Sequence, residues 1–144
     1  MTAARYAQLL VPMFWLGMVV AISFMQAPLK FRAPGVTLPV GLGIGRLVFK
    51  ALNTVEVLLL LVLSVACYVA RPDAVALTLL VAVAAVLIIQ VVVVRPPLGS
   101  RSARILAGAT APRSRLHWVY IVLELAKAGL LLALAFSFTA RVLA

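Results

Sequence analysis

The sequence predicts an all-α fold, a polytopic membrane four-helix bundle that takes in the chain as one domain, 1–144. Three observations carry this. Hydrophobic residues make up 66% of the 144 positions and charged residues only 11%. Mean hydropathy is +1.23. The apolar residues fall in four continuous runs rather than in alternation. A soluble domain is about half apolar and about a quarter charged, so too few polar residues are present here to cover a water-facing surface. Disorder, a collagen repeat and a disulfide scaffold are excluded on the same grounds. A membrane barrel needs alternating strands, and in lipid a helix satisfies its own backbone.

A spanning helix needs about 20 mostly apolar residues. The spans are expected at about 7–25, 47–70, 74–94 and 116–140. The first has a single basic residue ahead of it, Arg5, a long apolar stretch and no well-placed small-x-small site. It reads as a retained helix rather than a cleaved signal, with Pro12 as a kink or a first-turn residue. The connection over 26–38 contains Pro28, Lys30, Arg32, Pro34 and Gly35. Thr37 followed by Pro39 has the form of a helix start, a hydroxyl cap with proline in the first turn. From there to Ala70 the second helix would measure roughly 48 Å, so its first three turns should lie among lipid head groups. Arg71, Pro72 and Asp73 form a tight hairpin, with Asp73 as cap of the third helix. The longest connection, 95–115, is basic and free of acids; residues 100–106 within it suit a short interfacial helix.

Net charge is +10, from thirteen Lys and Arg against three acids. The basic residues cluster between apolar runs, which points to topology and anionic lipid rather than to nucleic acid. Lys30, Arg32, Arg46, Lys50, Arg95, Arg101, Arg104, Arg113 and Arg115 fall on one side and are assigned to lipid head-group contacts. Arg5, Arg71 and Arg141 fall on the other. Nine against three places both termini outside and the basic loops in the cytoplasm, in a membrane expected to be the bacterial inner membrane. Expected partners are those lipids, other membrane proteins or a second copy. Cys67 is the only cysteine, so no intrachain disulfide forms; it reads as a small packed side chain.

Ionisable groups inside a span are costly and need a reason. Arg46, Lys50, Asn53 and Glu56 share one face of the second helix by steps of four and three. His117, Tyr120, Glu124 and Lys127 share one face of the fourth. Glu56 lies roughly 9 Å beyond Lys50 and Glu124 roughly 10 Å beyond His117 along parallel axes. If the stripes face each other, Glu56, Glu124 and Lys127 meet in the cytoplasmic half of the membrane, with Asn53 and His117 nearer the cytoplasm and Gln90 as a neutral companion. One reading is an ion-pair cluster that fixes helix register, with one Glu neutralised by Lys127. The other is a site for a proton, a cation or a small polar ligand.

Chemistry beyond this is thin. One histidine, no close acid pair and no Glu-x-x-His spacing make a metal centre unexpected, and a haem held by two histidines is excluded. No cofactor is specified. Gly41, Gly43 and Gly45 lack the strand and remaining motif of a nucleotide loop; Gly41 and Gly45 fit small-xxx-small packing. Met13, Met18 and Met25 read as packing rather than copper ligands, and Trp15 and Trp118 as interfacial or core aromatics. Ser23, Ser64 and Ser137 are expected to bond back to their own helices. Ser114 lies near His117 without an orienting acid, so no catalytic set emerges.

The run Phe24-Met25-Gln26-Ala27-Pro28-Leu29-Lys30-Phe31-Arg32, with Gly45-Arg46-Leu47-Val48-Phe49 and Arg115-Leu116-His117-Trp118-Val119-Tyr120, resembles the four-helix membrane family that includes transmembrane-protein-205-like proteins. In that family a Pro-x-x-Phe segment closes the first helix and a Leu-His pair begins the fourth. Glu124 stands where the resemblance implies a polar amide. The resemblance implies the fold more than an activity. The expected function is a non-enzymatic accessory or interaction subunit; translocation of an ion, proton or solute through the polar cluster is the alternative, and a metal-binding or redox role ranks third.

Overall fold

The computed structural model describes residues 2–94 and 115–143, and these form four helices long and apolar enough to cross a membrane. Helix α1 begins at Thr2, whose hydroxyl accepts the Arg5 N–H at 3.3 Å. It is α-helical over Ala3–Val19 with Pro12 inside, then widens to a π-helix over Val20–Gln26. A short α turn, Ala27–Leu29, and a 3-10 turn, Lys30–Arg32, complete it. The helix therefore extends past the expected 7–25 at both ends. Gly35, at φ +82°, makes the reversal that follows.

Helix α2 (Leu38–Val69) starts as its sequence anticipates, with the Thr37 hydroxyl accepting the Val40 N–H and Pro39 in the first turn. After the short reversal at 71–73, Asp73 Oδ1 accepts the Ala76 N–H at 2.8 Å and starts α3. Helix α3 is α-helical over Ala74–Ile88 and π-helical over Ile89–Val94. Helix α4 covers Arg115–Leu143. The expected interfacial helix at 100–106 lies outside the described residues.

Helix α1 packs along both α2 and α4, and α3 packs along α4, so α2 and α4 stand on a diagonal of the bundle. Towards the 71–73 turn the core holds Leu63, Cys67, Ala76, Leu80, Leu134 and Phe138. A second layer holds Trp15, Val19, Val83, Leu87 and Leu131. Gln8 of α1 is buried against the end of α2, where its amide donates to the Ala70 carbonyl at 2.6 Å and the Ala66 carbonyl at 3.2 Å. The last carbonyls of a helix lack partners within it, and Gln8 supplies one from a neighbour. The outer surface is the reverse of a soluble protein's: Leu47, Tyr68, Val69, Val75, Trp118 and Phe136 are each more than 60% exposed. Hydrocarbon is the solvent such a surface fits.

The two closely spaced glycines of α2 are occupied from within the chain. A Cβ on Gly41 would collide with the Phe31 ring, and one on Gly45 would lie 2.5 Å from Lys30 Nζ. The end of α1 thus sits in the notch that Gly41 and Gly45 leave.

Candidate functional site

The polar stripes of α2 and α4 do meet, across the diagonal of the bundle. Lys127 Nζ lies 2.5 Å from Glu56 Oε2 and 2.5 Å from Glu124 Oε1. It also donates to Gln90 Oε1 at 2.9 Å. An ammonium has three N–H donors, and all three are taken up by α2, α3 and α4. Helix α1 closes the network. Trp15 Nε1 donates to Glu56 Oε2 at 2.8 Å, and Ser23 Oγ donates to Glu124 Oε2 at 2.5 Å. Gln90 Nε2 donates to Glu124 Oε1 at 2.7 Å. Trp15, Glu56, Gln90, Glu124 and Lys127 are all buried, none more than 1% exposed.

Local winding aims two of these groups. Ser23 lies in the π segment of α1, and Gln90 in the π segment of α3. The Ala27 N–H reaches back to the Ile22 carbonyl, a five-residue step. Such a segment holds one residue more than an α-helix of equal rise and turns later side chains to a new face. Both segments turn their polar residue onto Glu124. Ser23 was expected to bond its own helix. It bonds α4 instead, because a carboxylate within reach is a stronger acceptor than a carbonyl already used by the helix. Thr54 and Thr78, which face lipid, do bond back, to the Lys50 and Ala74 carbonyls.

Among the sequence candidates, Glu56, Glu124 and Lys127 come together. Asn53 is buried one turn from Glu56 on the same face. The His117 side chain lies outside the described residues. Arg46 and Lys50 continue the α2 stripe to an exposed rim, so that this face passes from exposed to buried over ten residues. Above the network, Phe49 and Tyr120 pack edge to face at 5.7 Å. Arg95, Arg101, Arg104, Arg113 and the Arg115 side chain are outside the described residues. Trp15, Ser23 and Gln8 were not singled out as site or anchoring residues. A polar amide inside an apolar run is itself a signal, and it could have found Gln8. Nothing in the sequence marks a π turn.

Chemically, the network is closed. Lys127 has no donor left for a substrate, and no group of three His, Cys, Asp or Glu able to hold a metal occurs among the described residues. An apolar groove of about 490 Å³ lies elsewhere, between α1 and α4, lined by Gly17, Ala21 and Phe136 at its exposed side and by buried Ala135.

The fold and the network define a small four-helix integral membrane protein with a buried Glu/Lys ion-pair cluster. Compared with known proteins, the chain matches no family model, no curated protein and no solved structure.

Proposed function

We propose that this is a non-enzymatic membrane protein, an accessory or interaction subunit, in which the Glu56–Lys127–Glu124 network fixes helix register. The observation that supports this reading is the saturation of Lys127: its three donors end on Glu56, Gln90 and Glu124, one from each of three helices. A side chain poised for a substrate keeps a donor or a lone pair turned to a cavity, and Lys127 does not. By the excess of basic residues on one side, both termini lie outside and the basic connections in the cytoplasm of a bacterial inner membrane. The resemblance to transmembrane-protein-205-like proteins agrees with a small four-helix membrane bundle. Co-purification from native membranes in mild detergent, followed by mass spectrometry, tests the accessory role. A stoichiometric membrane partner is expected, and a protein that is solitary in every preparation overturns it.

A second reading, translocation of a proton or cation, draws on the charge count. Two carboxylates face one ammonium, a formal charge of −1 if both are ionised, and an uncompensated buried charge is expensive. A proton or small cation would balance it. Proteoliposomes measure this directly: flux through the native protein that disappears in Glu56→Gln and Glu124→Gln would establish it, and absence of native flux removes it.

A further inference from the structure

We propose that Lys30 is the centre of a binding site for the phosphate of an anionic phospholipid head group. The proposal needs only a bundle that spans a membrane and does not depend on the accessory role. Lys30 closes α1. Its ammonium lies 5.2 Å from the Phe31 ring centroid and 5.8 Å from that of Phe49. Both are within the range in which an aromatic face attracts a cation, about 6 Å. Gly45 makes the room, because a Cβ there would stand 2.5 Å from Nζ. The ammonium is therefore held in place by ring faces and a glycine, none of which accepts an N–H in the ordinary way. Among the described residues no hydrogen bond or ion pair uses its donors.

The chain cannot supply the missing anion from its own acids. It has three. Glu56 and Glu124 are bound to Lys127, and Asp73 caps α3 at the opposite end of the bundle. Lys30, Arg32, Arg46 and Lys50 thus share one end of the α1–α2 pair with no side-chain carboxylate. Arg46 follows Gly45 directly and is exposed, a second cation at the same end of α2. The surroundings select the kind of anion. Leu29, Phe31 and Leu38 are 51%, 41% and 58% exposed around this corner. A ligand that satisfies both the ammonium and these apolar side chains carries a phosphate and acyl chains together. The depth agrees, since the first turns of a 32-residue helix extend beyond a hydrocarbon core of about 30 Å.

Native mass spectrometry of the full chain in detergent, titrated in turn with phosphatidylglycerol, phosphatidylcholine and inorganic phosphate, tests the site. One phosphatidylglycerol should be retained in preference to phosphatidylcholine. Lys30→Gln should weaken that retention roughly fivefold, the effect of one basic residue at an anionic surface. Lys30→Arg should keep most of it, Gly45→Ala should lose it by displacing the ammonium, and Arg5→Gln at the other end should leave it unchanged. Equal retention of the two lipids, or native-like retention by Lys30→Gln, overturns the proposal. Displacement of the lipid by inorganic phosphate overturns the commitment to a lipid.

Discussion

The two ends of this bundle are fastened by different chemistry. Near the 71–73 turn the core is apolar, with Leu63, Cys67, Ala76, Leu80, Leu134 and Phe138 in contact, and one amide, Gln8, ties α1 to the end of α2. Towards the opposite end, six side chains from all four helices form the charged network around Lys127. Connectivity accounts for the contrast. At the first end α2 and α3 are joined by a turn so short that their relative height is set covalently. At the other end α1 and α2 are joined through the five residues 33–37, but α3 and α4 only through 95–114, so no short link sets the height of α4 against α3. Helices in lipid gain no hydrophobic drive towards one another, since the tails are as apolar as leucine. Directional polar bonds then decide which height is correct. The comparison teaches that polar material collects where covalent restraint is weakest.

The largest expected effect comes from Lys127→Leu, which removes the cation and leaves two carboxylates facing each other. A loss of about 3–5 kcal/mol follows from breaking a buried charged group's pairing, read as unfolding free energy by steric trapping in bicelles. A native-like value would mean that the network does not hold that end. The triple change Glu56→Leu, Glu124→Leu and Lys127→Leu sharpens the comparison further. It should recover most of that stability while loosening helix register, measured as a broadened set of cysteine cross-links between α2 and α4. A single cross-link pattern as sharp as the native one would show that apolar packing alone sets register. Trp15→Phe keeps an aromatic ring but strips one donor from Glu56 and leaves space where the rest of the indole packed, for a loss of about 1–3 kcal/mol by the same trapping assay. At the other end, Gln8→Leu should cost less, about 0.6–1.7 kcal/mol, as interhelical hydrogen bonds in membranes typically do; hydrogen exchange at Val69 and Ala70 reports it. If Gln8→Leu proved as damaging as Lys127→Leu, the asymmetry between the ends would be wrong.

Much of this was legible in the sequence because it rests on local rules. Four apolar runs mark the four helices, Thr37–Pro39 and Asp73 mark two helix starts, and spacing by three and four puts Glu56, Glu124 and Lys127 on facing stripes at one depth. Gln90, the expected neutral companion, does join them. Those rules assume uniform α-winding, and the residues that were missed break that assumption or act across helices. Ser23 reaches Glu124 from a π segment, so counting at 3.6 residues per turn misplaces it. Trp15 has a plain hydrophobic alternative, and only the position of Glu56 on another helix makes its indole N–H a donor to the network. Gln8 pairs with carbonyls of α2, and backbone partners leave no trace in residue identity.

The π windings also bear on how this chain can change in length. In an ordinary helix the loss of one residue swings everything beyond it by about 100°, which would carry a whole flank from protein to lipid. A segment already holding a surplus residue can give it up and rewind to α while both flanks keep their orientation. Over 20–26, where described helix continues on both sides, the bundle therefore has a place where one residue can be removed without unseating the helix, at the expense of the bond from Ser23.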